Sequence, residues 1–215
     1  MASWSEHSVV RLSVYRRILS RLHEQSIKQV YSHDLARECR VSAAMVRRDL
    51  MGVDYSGSAV RGYDVSSLLK TLNHLLDGPR TQHVALVGVG NLGSAVLNYF
   101  GGRRPKLDIV AAFDRDPAKV GRMAYGVMVH PITDLKQVLH DKQISLGIVT
   151  VNGTEAQGVV DQLVASGVKG ILSFAGMPLR VPPAVFIEDF DLVTALEKVA
   201  FFARTHGQTP GSQEQ

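Results

Sequence analysis

A GxGxxG pattern between two apolar segments is the feature of this sequence with the clearest chemistry. Asp114 follows 21 positions after its last residue, and the pattern consists of Gly88, Val89, Gly90, Asn91, Leu92 and Gly93. The first glycine allows a tight turn, the second lets the main chain approach a pyrophosphate, and the third lets a helix pack on a strand. A carboxylate at Asp114 accepts hydrogen bonds from ribose hydroxyls and repels a 2′-phosphate, although the adjacent Arg115 would tolerate one. The pattern predicts a site for NADH or NAD+ rather than for NADP(H).

A second group of residues has the chemistry of DNA recognition. Arg47 and Arg48 lie in a predicted short helix at residues 43–51, for which Ser42 is the expected N-cap. Val46 and Leu50 are four residues apart and should face a core, so the two arginines should point outward. An exposed arginine pair on such a helix can contact guanine edges or phosphates in a major groove. Two further cations that we expect to contact DNA are Lys28 and Arg61.

The elements around these arginines suggest a winged helix-turn-helix over residues 1–78. Amphipathic helices are predicted at residues 7–25, 34–39 and 64–77, with Ser32 and Asp64 as N-caps of the last two. Residues 52–63 are rich in glycine and predict a small β-hairpin, the wing. The first 80 residues carry a net charge of +4 and the remainder a net charge of zero, which favours a polyanionic partner for the first part.

The elements around the glycine pattern suggest a Rossmann domain over residues 79–189. Apolar strands are predicted at 83–87, 107–113, 127–129, 144–151, 170–174 and 184–187, with helices at 92–100 and 154–166. Strands separated by helix-length segments predict βαβ units and a parallel sheet, hence an α/β fold. A final helix is predicted at 191–205 and forms a separate region, 190–206, before a polar tail at 207–215 that we expect to be disordered.

Composition excludes several other classes of protein. The sequence has one cysteine, Cys39, so an internal disulfide or a cysteine-rich zinc site cannot form, and we expect no metal. It has no run of 18 apolar residues and no secretory signal at its start, which favours a cytoplasmic protein without a membrane span. A dehydrogenase would need an acid/base group near the nicotinamide, but His130 and His140 have no partner motif and are expected at the surface.

Five short motifs occur in a specific order along the chain. They are RLSVYRRIL from Arg11, SAAMVRRDL from Ser42, RGYDV from Arg61, GVGNLGSA from Gly88 with Tyr99 after it, and FDRDPAKVG from Phe113. With these motifs the chain resembles the Rex family of bacterial redox-sensing transcriptional repressors from about Arg11 to Phe202.

The resemblance implies a homodimer that binds an inverted-repeat operator and exchanges its C-terminal helix between subunits. It implies that NADH binding releases the DNA, whereas NAD+ competes without releasing it. Tyr99 and Asp191 match residues that respond to the redox state of the nicotinamide, and Arg17 matches an arginine that exchanges partners with that aspartate. The same resemblance adds Lys119, Val151 and Asn152 to the cofactor site, and Arg11 and Met45 to the DNA contacts.

The chain also departs from the family pattern. Asn152 stands where proline is common, and Gly176 stands in place of an Ala-Pro pair, both near the expected nicotinamide pocket. Met45 replaces a common glutamine, and the wing at residues 55–60 lacks the usual Phe-Gly pattern. These changes leave open whether the preference for NADH and the DNA sequence preference differ from those of the family.

Three alternatives remain open at this point. A small NAD-dependent oxidoreductase with a helical extension would use the same glycine pattern, but the sequence has no Tyr-x-x-x-Lys pair. A CoA-binding domain of the acyl-CoA ligase type would share the sheet, but Asp114 suits a ribose diol better than a phosphorylated ribose. A DNA-packaging protein would not need the glycine pattern together with an acidic residue.

Overall fold

The structure, a computed structural model, describes residues 4–58, 61–101 and 106–206. The tail at 207–215 and two residues of the expected wing, Ala59 and Val60, lie outside these ranges. The chain divides into two compact units, Met1–Arg80 and Thr81–Gln215. Each unit has a hydrophobic core of its own.

The first unit is a winged helix-turn-helix built from four helices and a two-stranded sheet. Its helices are α1 (Glu6–Glu24), α2 (Ser32–Cys39), α3 (Ala43–Gly52) and α4 (Val65–Asp77), and its strands are β1 (Gln29–Val30) and β2 (Tyr63–Asp64). The predicted N-caps at the last two helices are confirmed, because Ser42 Oγ accepts from Met45 N at 3.1 Å and Asp64 Oδ1 from Ser67 N at 2.7 Å. These caps satisfy backbone donors that would otherwise lack a partner.

The core of the first unit lies where the four helices meet. Its fully buried side chains recur at three- and four-residue spacing, as expected for amphipathic helices, and include Leu12, Tyr15, Leu19, Leu35, Val46, Leu50, Leu68 and Leu72.

Two details of the first unit differ from the sequence-based predictions. Helix α2 begins at Ser32, and its N-cap is Tyr31, whose extended backbone brings its N–H to 3.3 Å from the Asp34 carboxylate. Strand β2 does not pair within residues 52–63 but lies antiparallel to β1. Among the described residues of the wing, the hairpin consists of one bridge, between Ser58 and Gly62.

The second unit is a Rossmann-type sheet with helices on both faces. Its strands are β3 (Gln82–Val87), β4 (Leu107–Asp114), β5 (Met123–Ala124), β6 (Val127–Pro131), β7 (Ile144–Val149), β8 (Gly170–Ser173) and β9 (Phe186–Asp189), in the order β5-β6-β4-β3-β7-β8-β9. The predicted parallel sheet is confirmed for six strands, while β5 pairs antiparallel with β6 at its edge.

Alternation along the central strand explains why both faces of the sheet carry helices. On β3, Ala85 and Val87 lie in the core on one face, and Val84 and Leu86 lie in the core on the other. Helix α5 (Asn91–Phe100) covers the second face, whereas α6 (Leu135–Asp141) and α7 (Gly153–Ala165) cover the first. A single 3₁₀ turn precedes α6.

The last element is helix α8 (Leu192–His206), which agrees with the predicted final helix to within a residue at each end. None of the helices in the described part of the chain is long and apolar enough to cross a membrane.

Candidate functional site

The glycine pattern forms the turn between β3 and α5, at the carboxyl edge of the sheet. Gly88 has φ of 101°, which a side chain would strain, and a Cβ there would lie 2.8 Å from Val151 Cγ1. A Cβ at Gly93 would lie 2.0 Å from the Gly88 carbonyl oxygen. These two glycines therefore provide the turn and the close helix–strand approach that the sequence predicted.

Gly90 differs from the other two glycines because a side chain there would have room. A Cβ built there has no protein atom of the described residues within 4 Å, and the residue lines a cleft of about 360 Å³. Gly90 is also the N-cap of α5, so the first N–H groups of that helix face the same space. A helix start without a Cβ at its mouth fits a pyrophosphate group.

Thr150, which follows β7, holds the glycine turn in place. Its Oγ1 donates to Gly88 O at 2.7 Å or to Val87 O at 3.1 Å, and its backbone N donates to Val87 O at 2.9 Å. Sequence reasoning missed this residue. The available signal was its position directly after the strand that neighbours β3.

Asp114 lies at the end of β4 and is almost fully buried. Its Oδ2 accepts from Val89 N at 2.8 Å and from Lys119 Nζ at 3.1 Å, and its Oδ1 accepts from Asp116 N at 2.9 Å. Burial raises the pKa of Asp114, but the hydrogen bonds from Asp116, Lys119 and Val89 outweigh it and lower the pKa below its ordinary value. A carboxylate has about four acceptor positions, so roughly one remains for a ribose hydroxyl, on Oδ1.

Most of the other residues predicted for the cofactor site lie around this cleft. Arg115, Val151 and Asn152 line it, and Lys119 reaches it through Asp114. The side chain of Val89 is buried in the core and that of Leu92 packs against it, and the N–H of Val89 is donated to Asp114. Asn152 has φ of −61° and ψ of 147°, which a proline would also adopt, so this departure changes the side chain in the cleft without changing the backbone.

Two residues predicted near the nicotinamide lie elsewhere in the second unit. Among the described residues that line the cleft, neither Tyr99 nor Asp191 is present. Tyr99 is exposed and lines a separate apolar hollow with Phe100 and Phe174. Asp191 caps α8, accepting from Val193 N at 2.8 Å and from Thr194 Oγ1 at 2.6 Å.

In the first unit, α3 presents the predicted arginines. Val46 and Leu50 are fully buried, whereas Arg47 and Arg48 are exposed, as the four-residue spacing predicted. Arg47 Nη1 donates to Ser32 Oγ at 3.2 Å. Of the remaining predicted contacts, Ser42, Lys28 and Arg61 are exposed, Met45 is half-buried, and Arg17 of the expected switch lies exposed on α1.

Arg11, which the family resemblance adds to the DNA contacts, is paired within the first unit. Its Nε and Nη2 donate to the two carboxylate oxygens of Asp49 at 2.6 and 2.7 Å, and Tyr15 Oη donates to the same carboxylate at 2.9 Å. Asp49 is buried on the inner face of α3, so this cluster ties α3 to α1. Arg11 therefore helps to position the arginine-bearing helix, its side chain remains 20% exposed, and its contact with DNA stays a prediction.

Comparisons with known proteins agree with this division of the chain. Residues 79–177 match the family model "CoA binding domain", and residues 5–50 match the family model "Putative DNA-binding protein N-terminus". The redox-sensing transcriptional repressor Rex of Lactobacillus acidophilus is 40% identical over 192 residues, which are 89% of this chain and 91% of the relative. The chain belongs to the Rex family of redox-sensing transcriptional repressors. The Rex protein of Syntrophobacter fumaroxidans is 35% identical over 90% of this chain and 93% of its own length.

Solved structures of the Rex-family repressor RSP have the same fold as this chain. RSP in complex with β-NAD+ and operator DNA superposes with a TM-score of 0.86 at 28% identity, over 97% of this chain and 100% of RSP. RSP in complex with β-NADH superposes with a TM-score of 0.85, over 96% and 97% of the two chains. Membership of the Rex family makes this chain a regulator of transcription and not an enzyme, which removes the oxidoreductase alternative.

Proposed function

We propose that this Rex-family chain binds an operator as a homodimer and leaves it when NADH binds. The observation that carries the proposal is the open α5 start at Gly90, beside a buried carboxylate at Asp114, in a chain that also presents exposed arginines on α3. RSP, the solved relative, has been captured with β-NAD+ and operator DNA and also with β-NADH. A DNA-binding repressor acts where the DNA is, so we place it in the cytoplasm.

The dinucleotide would lie along the carboxyl edge of the sheet. The first N–H groups of α5 would hold the pyrophosphate, and Oδ1 of Asp114 would accept one adenosine ribose hydroxyl. Val151 and Asn152, which follow β7, would line the nicotinamide side. The bound dinucleotide supplies a ring that is positively charged when oxidised and neutral when reduced.

The DNA would meet the exposed face of α3. Arg47 and Arg48 would contact base edges or phosphates in a major groove, with Ser42 and Met45 at the start of the same helix. Lys28 and Arg61 are exposed cations of the same unit and suit the phosphate backbone. Two such helices in a dimer would read the two halves of an inverted repeat.

Helix α8 supports the homodimer. Six of its apolar side chains are 51–69% exposed, and an apolar surface of this kind on a soluble domain is typical of a protein interface: Leu192, Val193, Leu196, Val199, Phe201 and Phe202. A second copy of the chain would cover this helix by the exchange of C-terminal helices that the family resemblance implies. Asp191 at its start, with Arg17 and Tyr99, remains the proposed redox-responsive set.

The test is fluorescence anisotropy of a labelled inverted-repeat duplex, titrated with NADH and separately with NAD+. Release at a much lower concentration of NADH than of NAD+ is expected. A ligand shifts a two-state equilibrium only by its difference in affinity for the two states, so equal release by both would contradict redox sensing. If neither dinucleotide changed the binding of DNA, the proposed coupling between NADH binding and DNA release would be contradicted.

A variant separates the two sites. Arg47→Ala combined with Arg48→Ala should weaken operator binding by about 100-fold or more, because each arginine contact to DNA contributes about 1–3 kcal/mol. NADH affinity should not change, since it depends on the other unit. Lys70→Ala, which removes an exposed charge from α4, is the control and should lower DNA affinity little. Equal losses in the two variants would contradict the assignment of α3.

A further inference from the structure

The adenosine side of the cleft contains two cations that could bind a phosphate on the ribose. Lys119 Nζ lies 3.1 Å from Asp114 Oδ2 and 3.8 Å from Asp116 Oδ2, so two carboxylates neutralise it. Arg115, the residue directly after Asp114, is bonded through Nη1 to Glu155 Oε1. Each cation near the predicted ribose position is therefore already paired with an acidic side chain.

The Arg115–Glu155 pair crosses the cleft. Arg115 follows the end of β4, and Glu155 lies in the first turn of α7, after β7. Strand β3, which leads into the glycine turn, lies between β4 and β7 in the sheet. Both residues of the pair line the same cleft as Gly90. Glu155 thus reaches the adenosine side from the opposite wall.

The position of Glu155 affects whether the cleft binds NAD(H) or NADP(H). NADP(H) differs from NAD(H) by a 2′-phosphate on the adenosine ribose, and an arginine beside the ribose-binding carboxylate is the group that would bind it. A planar guanidinium binds a phosphate with two parallel hydrogen bonds when its donors are available. Glu155 occupies one end of that guanidinium and also places a second negative charge opposite the phosphate.

We propose that Glu155 is a specificity-determining residue that withholds Arg115 from a 2′-phosphate, so that the chain responds to NADH and not to NADPH. The inference rests on the proposed NAD(H) site. Asp114 repels the same phosphate, so Glu155 is the second of two carboxylates that reject it. A regulator with this pair reads the NADH pool without interference from NADPH.

The pair suits a test by substitution because it contributes little to the fold. The two side chains are 72% and 38% exposed, and exposed ion pairs of this kind stabilise proteins only weakly. Its effect on a bound phosphate should weaken with added salt, as interactions between exposed charges do.

The experiment titrates the intact protein with NADPH and with NADH, following the fluorescence of each dinucleotide. Glu155→Gln should strengthen NADPH binding by about tenfold at low salt and strengthen NADH binding clearly less, because NADH lacks the 2′-phosphate. In an Arg115→Gln background, Glu155→Gln should give a much smaller gain. Competition by adenosine 2′,5′-bisphosphate should improve in Glu155→Gln, whereas competition by 5′-AMP should not, which locates the effect at the ribose.

Asp161→Asn is the matched control. Asp161 is an exposed acid on the same helix, and its Oδ1 accepts from Gln157 Nε2 at 2.8 Å. NADPH affinity that is unchanged in Glu155→Gln, or that rises equally in Asp161→Asn or in the Arg115→Gln background, would overturn the inference. If the wild type binds NADH and Glu155→Gln shows none of these gains, the role of Glu155 alone is refuted. Failure of the wild type to bind NADH would refute the cofactor site and the inference with it.

Discussion

The two units offer different groups to phosphate-bearing ligands. In the first unit, arginines project from a convex helix and are available at its surface, and the buried charge lies behind them, at Asp49. In the second unit, the cleft offers main-chain N–H groups at Gly90, and the charged side chains around it are paired with one another.

This difference between exposed cations and main-chain donors follows from the charge distribution of the two proposed ligands. DNA presents a long row of charges, and exposed cations gain affinity from many of them without needing a fixed geometry at each. A dinucleotide presents one pyrophosphate, so a helix start placed within hydrogen-bond distance is sufficient, and additional free cations would admit the wrong dinucleotide. The first unit therefore needs a helix that presents several exposed cations, and the second needs a turn of defined shape.

The largest expected effect tests the shape of that turn. Gly93→Ala should destabilise the second unit by about 3 kcal/mol or more, because its Cβ would overlap the Gly88 carbonyl oxygen and crowd Thr150 Oγ1, at 2.0 and 2.9 Å. Thermal unfolding of the purified variant measures this change.

Gly90→Ala is the matched control. Its Cβ meets no described atom within 4 Å and its φ of −87° suits any residue, so the fold should keep its stability. NADH affinity should nevertheless fall by about tenfold or more, since the methyl group enters the space for the pyrophosphate. Unchanged NADH affinity in Gly90→Ala would show that the phosphates bind elsewhere.

The next effect tests the rigidity of the first unit. Asp49→Asn should destabilise it by about 3 kcal/mol, because the substitution leaves the hydrogen-bonded Arg11 guanidinium without its counter-charge. Denaturant unfolding measures the loss. Tyr15→Phe, which removes one hydrogen bond to the same carboxylate, should cost only about 1 kcal/mol. If the two variants were equally stable, the cluster would not hold α3 as we describe.

Sequence patterns predicted the residues whose role depends on contacts within one or two helical turns. Ser42 and Asp64 were found as N-caps, and Val46 and Leu50 as core positions, because capping and helical periodicity act within one or two turns. Helix α6 and strand β5 were missed because seven and two residues are too few for a periodic pattern to be distinguished.

Contacts between distant segments could not be predicted in the same way. Arg11 and Asp49 are 38 residues apart, and Arg115 and Glu155 are 40 apart, so no local period connects them. One signal was present for the first pair. Asp49 follows Val46 by three residues and precedes Leu50, which places a carboxylate on the apolar stripe of α3, where burial requires a partner.

A smaller effect concerns the buried carboxylate of the cleft. Because the folded pKa of Asp114 is lowered, its contribution to stability is complete above its unfolded value of 3.8 and is lost as pH falls through the folded pKa. Asp114→Asn should therefore cost about 1–2 kcal/mol at neutral pH, and this difference should shrink below about pH 4. Denaturant unfolding of both proteins across this range checks it. A difference that does not depend on pH would assign the loss to packing and not to charge.

The smallest expected effect concerns His130 of the second unit, a half-buried histidine whose Nε2 atom is shielded from solvent. His130 was expected at the surface, but it packs on Phe113 with ring centroids 5.7 Å apart, and no described group bonds to its buried Nε2. Burial lowers the pKa of His130 below its ordinary 6.5, Lys142 lowers it further, and Asp134 raises it slightly. The buried carboxylates Asp49 and Asp114 are both hydrogen-bonded, whereas the lowered pKa of His130 favours its neutral form.

The lowered pKa of His130 predicts the direction in which stability changes with pH. As pH falls below 6.5, the unfolded chain takes up a proton at His130 before the folded chain does, so stability should fall between pH 6.5 and the lower folded pKa. His130→Gln should remove this part of the decline, which we expect to be below about 1 kcal/mol. His140→Gln, which replaces an exposed ring on α6, is the control. If both variants flattened the slope equally, the decline would not be specific to His130, and the contrast between its half-buried ring and the hydrogen-bonded carboxylate of Asp49 would fail.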